Sequence, residues 1–352
     1  MIQYTMLQYK YKFRLSLKEV ILVFNFKEKE FLQTEQRGLD IIKDVENIVD
    51  NICKEGYGNL FFVGIGGTIA YAKQTESIVK SHSTLNLHVE NAADLVALGN
   101  CHLNKDTIVI IESKSGDTKE IVDAVDYVHT LGAKVIGYIG DPESILSKKV
   151  DYVVNGNSGP YYFWFSASLR FMYNKGEFDD YEDFINNIQN LPAILCQVQK
   201  DADAKCEDYA EKYKDAPIQY FIGSGNLEGW AYCYAMCILE EMQWMRTKFV
   251  SGSNFFHGTL EVIDRDTSVI LFIGEDNSRQ IMNRVDNFVQ KISANVTVFD
   301  TKDYTYDDID EKYRGLISPF VMRAICQRIS VHLEHKRRHP LAIRRYYRCL
   351  DY

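Results

Sequence analysis

Short β-branched and apolar runs alternate along this chain with longer stretches whose apolar residues recur at helical spacing. Strand-sized runs separated by helix-sized ones predict an α/β fold, with parallel sheets covered by helices. The pattern also repeats. Leu60-Phe61-Phe62-Val63-Gly64-Ile65-Gly66 resembles Gln219-Tyr220-Phe221-Ile222-Gly223-Ser224-Gly225, an offset of 159. Lys105–Ile110 resembles Arg265–Ile270 at an offset of 160, and Ala133–Gly137 resembles Ala294–Val298 at 161. Three matches in one register imply two copies of a single unit rather than a solenoid, whose period would be shorter. Each copy reads strand, Gly-rich turn, helix, strand, turn, helix, strand. A polar, helix-prone stretch at Tyr181–Lys214 joins them, and Pro217 precedes the second copy's first strand. The expected domains are 1–23 as an extension, 24–200 and 201–332 as the two units, and 333–352 as a basic tail. Ligands of such sheets sit beyond the carboxyl ends of the strands. The loops after Val63, Ile111, Val135, Ile222, Leu271 and Val298 are therefore the places to search.

Composition narrows the picture. The 352 residues suffice for two domains, and 46% apolar with 25% charged residues is a soluble globular profile. The net charge of -9 argues against nucleic acid as a partner. None of the eight cysteines forms a Cys-x-x-Cys pair and no signal peptide precedes them, so reduced thiols in a cytoplasm are expected. Apolar runs are strand-sized, and no membrane span is expected. Met1–Val23, rich in Tyr, Lys and Gln, shows no clear cap or turn.

The loop Glu112-Ser113-Lys114-Ser115-Gly116-Asp117-Thr118-Lys119-Glu120 leaves a buried-type strand and opens a helix. Ser113, Ser115 and Thr118 bring hydroxyl donors, Lys114 a cation, and Gly116 lets the backbone approach an anion. A helix start adds free N–H groups and the positive end of the dipole. Helix capping alone explains one hydroxyl well and three poorly, so a phosphate cradle is the preferred reading. In the second unit Ile273-Gly274-Glu275-Asp276 occupies this place, and two carboxylates repel a phosphate. One phosphate site per chain follows. No P-loop motif is present, and Ile69 and Glu228 stand where dinucleotide fingerprints need a third glycine.

Trp230–Arg246 reads as a long helix, apolar nearly all round, that carries Glu240 and Glu241 near its end. At least one of these carboxylates is expected to face an enclosed space, where burial would suit it to proton transfer. His257 follows Glu241 by sixteen residues, beside Phe255 and Phe256, with Asn254 or Ser253 able to cap a helix starting there. Alone, such a histidine is more often structural. Cys233 and Cys237 lack partner ligands and read as core thiols. His332, His335 and His339 beside Lys336-Arg337-Arg338 leave open a metal, phosphate or carboxylate site, or a solvated basic face.

These residues converge on a resemblance. Ser113-Lys114-Ser115-Gly116-Asp117-Thr118 looks like the phosphosugar loop of sugar-isomerase (SIS) domains, and the tandem units resemble the isomerase half of glucosamine-6-phosphate synthase. A narrower match comes from three stretches: Leu239-Glu240-Glu241-Met242-Gln243-Trp244, Phe255–Glu261, and His339-Pro340-Leu341 with Ile343-Arg344-Arg345-Tyr346-Tyr347. They are similar to fructoselysine 6-phosphate deglycases and related fructosamine 6-phosphate deglycases, over roughly Phe24 to Tyr352. The resemblance implies Glu241 as base and His257 as acid. It further implies Ser113, Lys114, Ser115 and Thr118 around the phosphate, and weaker substrate contacts at Gly66, Gly67, Glu240 and Arg344.

It also implies isomerisation at C1 and C2 of a phosphorylated sugar–amino acid, hydrolysis of the imine, no metal or other cofactor, and at least a homodimer. Two features of the synthase are missing: its glutaminase domain and a lysine in the tail, since the last lysine here is Lys336. A phosphosugar isomerase or deaminase is the rival enzyme, and a non-catalytic sugar-phosphate regulator the rival of another class. About 23 residues before Phe24 are too few for a helix-turn-helix.

Overall fold

The computed structural model describes residues 23–156, 158–306 and 308–350. All but the last residue of the expected 1–23 extension, and the end of the tail, lie outside the described residues. Among the described residues nine strands form two sheets, every pairing parallel. The first sheet holds β1 (Asn59–Gly64), β2 (Leu87–Asn91), β3 (Thr107–Ser113), β4 (Lys134–Ile139) and β5 (Tyr152–Asn155) in the order β2-β1-β3-β4-β5. The second holds β6 (Gln219–Gly223), β7 (Thr247–Ser251), β8 (Ser268–Ile273) and β9 (Asn295–Asp300) in the order β7-β6-β8-β9.

Four strands of the first sheet match the second sheet in order, and β5 has no counterpart among the described residues. β1, β2, β3 and β4 correspond to β6, β7, β8 and β9 at offsets of 160 or 161. The β2–β7 pair was invisible in the sequence because Leu87-His88-Val89-Glu90-Asn91 and Thr247-Lys248-Phe249-Val250-Ser251 share no residue.

β3 reads as an unbroken apolar run because helices cover both of its faces. Ile108 and Ile110 pack with Trp164 and Phe171 on one side, while Val109 and Ile111 pack with Val125 and Val128 on the other. The joining stretch contains the Leu191–Tyr213 helix, which packs with the Glu311–Arg337 helix in the largest core cluster. No helix among the described residues is long and apolar enough to cross a membrane.

Two local expectations need correction. The helix predicted at Trp230–Arg246 runs instead from Glu228 to Gln243 and is not a plain α-helix. Cys233–Glu240 is π-helical, and Trp244, at φ 53, turns the chain out of the helix into β7. Apolar spacing alone does not distinguish a widened turn, which adds one residue per turn without changing residue character. Nor does a capped helix begin at Asn254 or Ser253. The chain makes turns through Gly258, at φ 142, and only a 3-10 turn follows at Thr259–Val262, with no side-chain cap.

The Gly67–His82 helix after β1 and the helix starting at Glu228 after β6 press together across the two units. A side chain at Gly229 would run into the backbone carbonyl of Ala70. The sign of one substitution tests this contact. In an open helix Gly→Ala gains about 1 kcal/mol from propensity. Gly229→Ala should instead lose about 1–3 kcal/mol through overpacking, seen as a lower urea midpoint at unchanged slope.

Candidate active site

In the first sheet the chain order reverses between β1 and β3, so the loops leaving these two strands diverge and open a crevice. A cavity of about 930 Å³ fills it. Gly66 and Gly67 line it from the β1 loop, and Ser113, Lys114, Ser115 and Thr118 from the β3 loop. The second unit contributes Glu240 and Glu241 at the end of its π-helical segment, and the tail contributes Tyr347 and Arg348. Eight of the ten residues singled out from sequence thus share one cavity; Arg344 and His257 are not among its lining. Of the six loops marked for search, those after β1 and β3 build it.

The β3 loop is held open by its own backbone. Gly116, at φ 69, takes a conformation that side chains disfavour, and a Cβ there would collide with Ser144. The Gly116 N–H donates to Ser113 Oγ at 3.0 Å, and Ser113 Oγ lies 3.5 Å from Thr118 Oγ1. Thr118 is the N-cap residue of the Lys119–Thr130 helix, yet its side chain makes no capping bond. The hydroxyl is not consumed by the helix that it precedes.

Arg348 comes from the far end of the chain and donates to Ser115 Oγ at 3.0 Å and to Asp117 Oδ1 at 2.8 Å. The bonds from Ser115 and Arg348 hold the Asp117 carboxyl below the usual range. Arg348 was not singled out from sequence, since nothing there ties the tail to this loop.

Glu240 and Glu241 have different surroundings. Glu240 folds back on β7, accepting from Thr247 Oγ1 at 2.6 Å and from the Thr247 N–H at 3.3 Å. Glu241 accepts from Arg344 Nε at 2.8 Å through Oε1, and among the described residues Oε2 has no partner. Its side chain is 33% exposed, so an ion pair rather than the expected enclosure defines its environment. His257 is exposed on the turns after β7, and within the chain it is not part of the cavity wall.

The enclosed carboxyl is Glu112, the last buried residue before the serine loop. It is 6% exposed, lines the cavity, and accepts from Trp164 Nε1 at 2.8 Å through Oε2. Burial pushes its pKa up to about 7, against the smaller opposing effect of the indole bond. Tyr71, Tyr138 and Cys233 face it, and their own pKa values are raised too, so these neighbours stay neutral and supply no cation. In the sequence Glu112 follows the apolar run Thr107–Ile111 and reads as the first residue of the polar loop.

In the second unit the equivalent place is occupied from within. Arg314 grips Glu275 with two bonds of 2.8 and 2.9 Å, and Asp276 accepts the Asn226 N–H at 2.9 Å. The protein's own carboxylate takes the position at the glycine turn that an anion would need. The basic histidine cluster is partly engaged elsewhere. His332 is bonded to Asp203 at 2.7 Å and Lys336 pairs with Glu207 and Glu211, while among the described residues the buried His339 Nε2 has no hydrogen-bond partner. Among the described residues no group of three His, Cys, Asp or Glu side chains is arranged to hold a metal ion.

Two measurements probe this arrangement. Glu112 keeps its proton to higher pH when folded than its ordinary value of 4.5 allows in the unfolded chain. Folding stability should therefore fall as pH rises from about 4.5 to about 7, by on the order of 3 kcal/mol, and stay lower above that. Glu112→Gln should remove this loss, giving a higher urea midpoint than the parent at pH 8 and a similar one at pH 4.5. Secondly, inorganic phosphate at saturation should raise Tm by roughly 2–5 °C. Ser115→Ala with Thr118→Ala should abolish most of that rise, and Glu275→Gln should leave it in place.

Comparison with known proteins agrees with this architecture. Residues 56–174 match the SIS domain family. The chain is 27% identical over 322 residues to fructosamine deglycase FrlB of Bacillus subtilis (strain 168), covering 88% of this chain and 97% of that protein. It is 21% identical to fructoselysine 6-phosphate deglycase of Escherichia coli (strain K12), covering 87% and 93% respectively. A solved Bacillus subtilis structure, named for phosphosugar isomerase activity, superposes with a TM-score of 0.85 at 25% identity, over 90% of this chain and all of that one. Residues 56–174, which carry the serine loop, are similar to SIS domains, and the two parallel sheets and these relatives extend that likeness over most of the chain.

Proposed function

We propose that the chain is a phosphosugar enzyme of the isomerase type that cleaves 6-phosphorylated fructosamines to glucose 6-phosphate and an amino acid. One observation carries the reading. A single cavity has a hydroxyl-rich helix start on one wall and, on another, a carboxylate oriented by an arginine with one oxygen free. The similarity to two deglycases over most of the chain supports the same substrate class.

In this reading the phosphate sits against Ser113, Ser115, Thr118 and the helix N-terminus, with Lys114 and Arg348 adding positive charge. It fixes position and takes no part in bond making. Glu241 takes a proton from C1 through Oε2, while Arg344 holds the other oxygen. The electrons move to give an enaminol, reprotonation at C2 gives the imine of glucose 6-phosphate, and water cleaves the C–N bond. Glu112, buried and neutral at mildly acid pH, offers a hydrogen-bond donor toward the sugar. The acid role given to His257 rests on the resemblance alone.

The test is a panel of 6-phosphorylated fructosamines assayed for released glucose 6-phosphate, run in heavy water. Deuterium is expected at C2 of the product. Glu241→Gln should lower kcat by at least ~10²-fold with little change in KM, as for a lost general base. Glu240→Gln should be milder, because its carboxylate is bound to Thr247. Full activity in Glu241→Gln would overturn the assignment, and turnover of aldose phosphates alone would make the chain a simple isomerase.

A further inference from the structure

A second cavity, of about 730 Å³, opens on the other side of Glu241. It shares Glu240, Glu241 and Tyr347 with the first, so the two spaces meet at the proposed base. The far wall is built from Trp244, Arg246, Arg345 and Tyr346. Trp244 is there because its left-handed backbone ends the helix and turns its ring outward; it is 37% exposed. The Arg345 guanidinium lies over that ring at 4.2 Å from its centroid.

The charges on this wall are unbalanced. Arg344 is paired with Glu241 and Arg348 with Asp117. Arg246 and Arg345 have no carboxylate partner among the described residues, in a chain of net charge -9 with acids to spare. Stacking on an indole fixes the plane of a guanidinium and leaves its N–H edge free, which is the arrangement that binds a carboxylate with two parallel bonds. Aromatic rings beside it suit an aliphatic chain.

The geometry points to a leaving-group subsite. We infer that this cavity takes the amino-acid half of the substrate and that Arg345, helped by Arg246, binds its carboxylate. The inference rests on the deglycase reading and extends it. With the phosphate at the β3 loop and C1 at Glu241, the nitrogen substituent on C1 must leave the first cavity, and the second begins there. The protein would then select adducts of amino acids over adducts of plain amines, and the released amino acid would inhibit as a product.

The experiment compares each amino-acid adduct that is turned over with the adduct of the amine left when its carboxyl group is removed. The parent protein should show a KM roughly 10- to 100-fold lower for the carboxylate-bearing member, the worth of a charge-assisted hydrogen-bond pair. In Arg345→Ala the ratio of the two KM values should collapse toward 1. Arg345→Lys should keep only part of it, since a lysine restores charge without the fork. Circular dichroism should be unchanged, because Arg345 is exposed. Equal KM values for the pair in the parent, or a ratio that survives Arg345→Ala, would overturn the subsite and leave the deglycase reading standing. Failure of every adduct to release glucose 6-phosphate would remove both.

Discussion

The site depends on a contact that has no chemistry of its own: the Gly67–His82 helix touching the helix that starts at Glu228, with Gly229 against the Ala70 carbonyl. Neither unit holds a complete cavity. The first supplies diverging loops at its strand-order reversal, and an anion at a helix start is bound but not transformed. The second supplies Glu241, which lies at the end of its helix and so is carried wherever that helix is docked. A missing Cβ lets the two backbones approach, and this approach sets the distance between the β3 loop and the carboxylate. The π-helical stretch between Gly229 and Glu241 then decides which way the carboxylate faces, since each widened turn rotates everything after it.

Duplication left two similar crevices, and electrostatics separated them. In the first, the β3 loop carries hydroxyls, a helix start and arginine from the tail. In the second, Glu275 is neutralised by Arg314 and Asp276 occupies the N–H of Asn226. A partly buried carboxylate with its own cation is a closed structural unit that has no use for a further anion. Glu112 sits at the opposite extreme. Among the described residues its carboxyl bonds only to a neutral indole, so burial acts unopposed by any positive charge and favours the protonated form. A neutral acid beside the β3 loop adds no repulsion to an anion, and a phosphate dianion placed nearby would favour that proton further.

Much of the fold was legible because its signals are periodic and redundant. Apolar strands covered on both faces leave unbroken runs, and a repeat in register restates each of them once. The placement of the β3 loop on the cavity wall was legible for a different reason: Ser113, Ser115 and Thr118 put three short donors within six residues at a strand-to-helix turn, where such sheets open their crevices. What stayed hidden were the features set by tertiary placement. The π turn changes geometry without changing residue type. Glu112 looks in sequence like the start of a polar loop, and only the Trp164 indole and the surrounding helices make it a buried acid. The role of His257 came from the resemblance, and within the chain its side chain does not line the cavity. Arg348 lies 231 residues from Asp117, a distance that no local pattern bridges.

The tail deserves a chemical reading as much as a structural one. Its two engaged arginines grip the site at opposite ends, Arg344 at the carboxylate of Glu241 and Arg348 at the β3 loop. A lysine in such a place has a second option, since its amine can lose a proton and condense with a sugar carbonyl to form a Schiff base. A guanidinium stays protonated throughout the working pH range and has no free pair of electrons to attack with. What it adds is a fixed charge and a planar fork. Under the proposed function, a tail that presents arginines to the site therefore contributes orientation and no covalent capture of the open-chain sugar. For a substrate that already carries nitrogen on C1, that is the economical arrangement: the imine needed for hydrolysis is made from the substrate's own amine, and an enzyme amine would only compete with it.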